Sequence, residues 1–485
     1  MISKSFLKSS VIYTIGGSLP MLAGLILLPF YTNFLSDVHY TQVLFYISMS
    51  LLFQILFSFS IESYFGIRYT QLSGDPGQQK KFIGTVSLLL LLIGGGLLIL
   101  TGVFGNLLFK AVYNQDLQME FWPYGFYSVL TGFFNSYFKA SSICLMYVKQ
   151  AKLYLISNVI NFIVTLLISI AGLYIFPNSI VGPIYGRLIS GLVIFLIGHY
   201  IFTINGELVL DKSFLNDLVK FCRPFVFYVL SIWVLGQIDR YFLQAYISKT
   251  DLNTYDLVLK CFFGIEFVQN SLFGIINPKI YEIWNKNEVH STTPDSNRYF
   301  NVFTAINIMQ LLVFCIVLPF IYKLLIKNTA FYQSEVYIGI LAAGYALRSI
   351  HLYYLATILF SKKINVLLRI FGCSAVIQVI MTIIAVKYFG LEGAIYAGLI
   401  TKMLQVILCI GFTRSIFNYN YNYFKIIGIP LIYFTLNLIQ FVVFKEYHLW
   451  MYIAQLVLFT VILYFVFRNE IKKVLVNFKL LPANL

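Results

Sequence analysis

From about residue 11 to residue 467 this chain is a succession of apolar runs, broken only by short polar or turn-forming stretches. Crossing the hydrocarbon of a bilayer as a helix takes roughly 20 apolar residues. Runs of that length lie near 11–35, 43–67, 82–109, 121–147, 153–176, 180–204, 222–247, 252–277, 299–326, 332–360, 364–386, 391–413, 424–444 and 448–467. Turn chemistry supports several of the breaks, at Gly74-Asp-Pro-Gly77, Phe176-Pro-Asn178 and Thr293-Pro-Asp295. Only 11% of the residues are charged, against about 25% in an ordinary soluble domain. So few charges could not coat a water-facing surface of this size. The pattern predicts an all-α polytopic membrane protein of about 14 transmembrane helices.

Two stretches 211 positions apart are nearly the same: Gly182-Pro-Ile-Tyr-Gly-Arg-Leu-Ile-Ser190 and Gly393-Ala-Ile-Tyr-Ala-Gly-Leu-Ile-Thr401. Each opens an apolar run. A second pair, Tyr31-Thr-Asn-Phe-Leu-Ser36 and Leu243-Gln-Ala-Tyr-Ile-Ser248, ends its runs 212 apart. The shared period predicts a duplicated unit: an N-lobe at 1–210 with helices 1–6 and a C-lobe at 211–420 with helices 7–12. Residues 421–485 then carry helices 13 and 14 and a cytoplasmic tail. Repeats of this size in a membrane chain point to transporters, whose halves rock about a central site.

The net charge of +15 is first a statement about topology. Of the basic residues outside the runs, 21 fall on the side of the N-terminus and six on the other. Positive residues mark cytoplasmic loops, so both termini are expected in the cytoplasm. No nucleic-acid partner is needed to account for the charge. The first run follows Lys4 and Lys8, carries a Pro and shows no small-residue cleavage site, so it is expected as a retained span. The six cysteines are scattered without paired spacing, and the five histidines form no HExxH. No Gly-rich phosphate loop precedes a Lys-Ser/Thr. No catalytic residue, metal site or cofactor is expected, and the longest polar stretch, about Lys279 to Arg298, is a cytoplasmic loop.

Cations inside the runs carry the functional signal. Lys139, Arg187, Arg240, Lys260, Arg348 and Lys402 lie there, with Arg369 close to a helix end. A cation at the centre of a lipid-facing helix costs about 2.5–3.5 kcal/mol. Turning these side chains toward a water-filled cavity avoids that cost. Glu62, Asp239 and Glu266 are the acids expected at comparable depth, too few to neutralise every cation. Adjacent Asp239 and Arg240 are expected to face apart. Gln237, Arg240 and Gln244 form one polar stripe, and Glu266, Gln269 and Asn270 a second. A cavity lined by the six cations would suit an anionic substrate carrying phosphate or pyrophosphate.

The 6+6+2 plan resembles the polysaccharide transporter branch of the multidrug/oligosaccharidyl-lipid/polysaccharide exporter superfamily. The likeness rests on Leu27-Leu-Pro-Phe-Tyr-Thr-Asn-Phe-Leu35, on Pro224 to Ser248 with Asp239-Arg240-Tyr-Phe-Leu243, and on Asn277-Pro-Lys-Ile-Tyr-Glu282 closing the eighth span. The resemblance implies a multi-pass flippase of the bacterial inner membrane. It would move an undecaprenyl-pyrophosphate-linked oligosaccharide repeat unit to the periplasmic leaflet by alternating access. It also implies contacts with membrane lipids, with helices 13 and 14 grooved for the polyprenyl tail, and with the polymerase and chain-length machinery. An H+ or Na+ gradient would couple through Glu62, Asp239 or Glu266. Three alternatives stand beside it. A drug/cation antiporter typically has twelve spans and an acid-rich N-lobe. A lipid-linked peptidoglycan precursor flippase shares the 14-helix plan. An O-antigen polymerase or ligase, the enzyme alternative, would place its functional residues in a large periplasmic loop.

Overall fold

The computed structural model describes residues 4–72, 74–113, 118–286, 293–361, 363–414 and 422–477. His290, Lys362 and Lys479 of the loops and tail, and the tail beyond residue 477, lie outside them. Among the described residues there is no strand, and the long helices are α1 (Lys4–Phe34), α2 (Asp37–Ser58), α3 (Ile61–Gln71), α4 (Pro76–Val112), α5 (Phe126–Tyr147), α6 (Ala151–Ile175) and α7 (Val181–Asn205). They continue as α8 (Leu215–Leu243), α9 (Lys249–Lys286), α10 (Thr293–Leu325), α11 (Ile338–Phe360), α12 (Ile364–Arg414), α13 (Ile429–Phe444) and α14 (Leu449–Asn477). The chain forms two compact units, Met1–Asn253 and Thr254–Leu485.

Eleven segments among the described residues are long and apolar enough to cross a membrane. Two further helices, α5 of 22 residues and α11 of 23, are also long enough to cross, and both are largely buried. Protein encloses most of their length, so they tolerate Ser, Thr and Arg348, while Lys139 of α5 is exposed. The 51 residues of α12 would reach about 76 Å as one straight helix, far more than a bilayer needs. Gly390 divides it, at φ 53 and ψ −126, a backbone conformation that favours glycine. Counted as two, α12 completes the fourteen expected crossings, with α2 and α3 sharing one broken span.

The two sequence matches do the same local work in each copy. A Cβ on Gly182 would stand 2.6 Å from the Gly172 carbonyl carbon, and one on Gly393 2.1 Å from the Ala385 carbonyl oxygen. Both glycines therefore let a helix press its backbone on the helix before it, as small residues do in membrane bundles. The second pair conserves a cap. Ser36 Oγ accepts from the amide of His39, and Ser248 Oγ accepts from the amide of Asp251. Each satisfies a free amide at the start of the next helix.

Breaks elsewhere follow the expected chemistry. Asp75 caps α4 through the Gln78 amide, with Pro76 at the first position, and α6 stops one residue before Phe176-Pro177. The Asn277-Pro278 segment differs from expectation: α9 does not close there but runs on to Lys286 with Pro278 inside it. In the unit Met1–Asn253, Tyr31, Tyr46, Phe57, Phe109 and Phe133 pack one core cluster, while Phe65, Phe82, Phe202 and Phe214 pack another. Large apolar side chains such as Leu107 and Leu324 point outward, consistent with a lipid surround.

Candidate functional site

The break between α2 and α3 positions the first acid. Phe59 and Ser60 both adopt positive φ, so the helix restarts at Ile61 inside the unit. Glu62 falls in the first turn of α3, where the positive end of the helix dipole favours a carboxylate. Its Oε1 receives Lys139 Nζ of α5 at 2.6 Å, while Oε2 is buried without a hydrogen-bond partner.

Lys139 also borders a cavity of about 500 Å³ within the same unit. Small positions of α1 (Gly17, Pro20, Gly24) open the space, and polar groups from four other helices edge it. Gln54 comes from α2, Asn135 from α5, Tyr154, Asn158, Asn161 and Thr165 from α6, and Arg187 and Ser190 from α7. The four α6 residues recur at helical spacing and form one polar stripe on an otherwise apolar helix. Their 3.6-residue period was legible in the sequence, but a search for charges passes over neutral amides.

Arg187 forms no ion pair with a carboxylate among the described residues, and its Nε lacks a partner. The buried hydroxyl of Tyr31 lies against Arg187 and Ser169. A second, water-sized void of about 10 Å³ also touches Arg187, with Tyr46, Ser50, Ser128 and Thr131 around it. Lys139 and Arg187 are the two predicted cations that the structure brings together around one cavity.

The other four cations are engaged differently. Arg240 is almost wholly buried, and its guanidinium folds back to Asp239 at 3.3 Å and to the Gly236 carbonyl at 2.6 Å. This corrects the expectation that the adjacent pair faces apart: the arginine side chain is long enough to return to its neighbour. Lys260 pairs with Asp256 one turn earlier at 2.5 Å. Asp256 is an intramembrane acid missing from the sequence reading, although its i, i+4 spacing to Lys260 was visible there.

In the unit Thr254–Leu485, the predicted stripe on α9 is met by one residue of α11. Arg348 donates to Glu266 at 2.9 Å, to Gln269 at 2.6 Å and to Asn270 at 2.9 Å. Gln269 passes the network on to Asn307 and the Tyr345 carbonyl. Lys402 lies 4.8 Å from the centre of the Tyr345 ring, within cation–π range. Four of the six cations therefore meet carboxylates, and the expected shortage of acids is smaller than the sequence count implied.

No protein-family model and no curated protein matches this sequence. Solved structures match by fold. The lipid II flippase MurJ, in an inward closed conformation, superposes with a TM-score of 0.67 at 15% identity, over 96% of this chain and 100% of that one. An inward-facing multidrug resistance MATE family transporter of the MOP superfamily gives 0.63 at 13% identity, over 81% and 97%. A MOP superfamily transporter from Pyrococcus furiosus, described for the reverse polarity of its binding pocket, gives 0.61 at 14% identity, over 85% and 95%. With its apolar helices, this likeness makes the chain a multi-pass membrane protein with the fold of the MOP-superfamily transporters.

Proposed function

We propose that this chain is a flippase for an undecaprenyl-pyrophosphate-linked oligosaccharide repeat unit, of the kind assembled into O-antigen or a related polysaccharide. It would carry the unit from the cytoplasmic to the periplasmic leaflet of the bacterial inner membrane by alternating access. The observation that carries this reading is the cavity of the unit Met1–Asn253, a space of about 500 Å³ edged by Arg187 and Lys139 inside a helical bundle. Such a volume suits a ligand of several hundred daltons, and its lining sets hydrogen-bonding groups and two cations among apolar side chains. The basic residues on one side of the spans place both termini in the cytoplasm under this reading. Glu62 is the coupling residue it favours: one carboxylate oxygen holds Lys139 and the other is buried without a hydrogen-bond partner. Asp239 and Glu266 remain the alternatives, each already engaged by an arginine.

A second reading, a flippase for a lipid-linked peptidoglycan precursor, is favoured by the fold likeness to MurJ. Purified protein in proteoliposomes separates the two. Fluorescent lipid-linked repeat unit and fluorescent lipid II are placed in the inner leaflet, and arrival outside is read by a membrane-impermeant quencher. Transport of the repeat unit alone supports the first reading, and transport of lipid II alone supports the second. Transport of neither, under both a proton and a sodium gradient, would overturn both.

A further inference from the structure

The cavity beside Lys139 and Arg187 holds more chemistry than anion binding requires. Four carboxamides, Gln54, Asn135, Asn158 and Asn161, edge it. A sugar hydroxyl both donates and accepts, and a carboxamide offers one oxygen and one NH2 group to match neighbouring hydroxyls. The two on α6 are held in complementary senses. Asn158 donates its NH2 to the Tyr154 carbonyl at 2.8 Å and keeps its oxygen toward other donors. Asn161 accepts from Thr165 at 3.3 Å through its oxygen and keeps its NH2. An acceptor and a donor therefore stand three residues apart on one helix face.

The charge of the wall is also specific. Lys139 is compensated by Glu62 at 2.6 Å, whereas Arg187 meets no carboxylate among the described residues. The wall thus carries one formal positive charge. An uncompensated cation at this depth is costly, and a bound anionic group would relieve it. A planar guanidinium suits the paired oxygens of a carboxylate or a phosphate.

We infer that this cavity seats the sugar end of the cargo and selects a glycan head carrying one negative group, with its hydroxyls on the carboxamides and its anionic oxygens on Arg187. The inference rests on the flippase reading and names which part of the substrate this unit recognises. The anionic group has two sources, an acidic sugar or the phosphate where the glycan joins its carrier, and both present the same oxygens to Arg187.

Binding of three soluble probes to the purified full-length protein in detergent, by calorimetry, tests this. They are a neutral disaccharide, the same disaccharide with one hexose replaced by its uronic acid, and the neutral disaccharide as its 1-diphosphate. At least one charged probe is expected to bind tenfold or more tighter than the neutral one, and the stronger of the two identifies the source. Arg187→Gln should erase that preference, and Arg187→Lys should retain part of it. Asn161→Asp, nearly isosteric, adds an opposing charge and should also erase the preference. A neutral probe that binds as tightly as both charged ones, a preference that survives both Arg187→Gln and Asn161→Asp, or no binding of any probe would overturn the inference. The proteoliposome assay is scored separately. Transport without probe selectivity refutes this inference alone, and selectivity without transport refutes the flippase reading alone.

Discussion

Replacing Glu62 by Gln removes the carboxylate that pairs with Lys139 of the cavity wall and leaves the lining residues unchanged. The Lys139 side chain is 47% exposed and that of Glu62 12%. An ion pair this open is screened, so its loss should cost about 0–1 kcal/mol of stability. Losing the favourable site at the start of α3 adds about 0.3–1 kcal/mol. The variant should therefore fold, with a total loss below about 2 kcal/mol. Its effect on binding is of the opposite sign. Freed from its partner, Lys139 joins Arg187, and the wall goes from one formal positive charge to two. Two unit charges 4 Å apart interact by about 1 kcal/mol in water and about 4 kcal/mol at an effective dielectric of 20. The exposure of Lys139 sets the gain near the lower figure, or roughly fivefold tighter binding of a charged sugar probe. Calorimetry with the uronic acid and neutral disaccharides measures it, and unfolding in mixed detergent micelles checks stability. Unchanged or weaker binding of the charged probe in a folded Glu62→Gln protein would refute the idea that this ion pair sets the cavity's charge.

Burial should make the second intramembrane pair behave differently. Asp256 is 1% exposed and Lys260 18%, so Asp256→Asn removes a buried carboxylate from a mostly buried cation and should cost about 3–5 kcal/mol in the same unfolding assay. Asp256→Leu combined with Lys260→Met should recover most of that loss, and a single-variant cost below 1 kcal/mol would show that the pair is hydrated. At the bend of α12, Gly390→Ala should destabilise by about 1–3 kcal/mol because alanine rarely adopts that backbone conformation. Gly398, where an added Cβ meets nothing within 4 Å, is the control, and equal effects at the two sites would contradict the backbone argument.

Some of the missed chemistry was written at short range. The Asp256–Lys260 pair and the Tyr154-Asn158-Asn161-Thr165 stripe are periodicities within single helices. Charge balance taken over whole spans does not register them. The Asp239–Arg240 contact was misread for a related reason: helical geometry sends adjacent side chains apart, but a long arginine folds back to its neighbour. Longer-range pairings left no local trace. Lys139 and Glu62 are 77 residues apart, and Arg348 and Glu266 are 82 apart.

The sequence by itself determined that this chain is a bundle of membrane helices. In hydrocarbon each backbone group must be bonded within its own segment, so run length and scarcity of charge leave no other structure. Caps such as Ser36 and Ser248, and the close-packed Gly182 and Gly393, are equally local and follow the repeat directly. Tertiary structure decided the pairings between helices, Lys139 with Glu62 and Arg348 with Glu266, and which cations meet no carboxylate among the described residues. Whether a cation is neutralised depends on which helix face lies opposite it, and that is set by packing among small and polar side chains rather than by hydropathy. Of the six cations, two pair within their own helix, two pair across helices, Lys402 lies over an aromatic ring, and Arg187 faces the cavity without a carboxylate partner among the described residues.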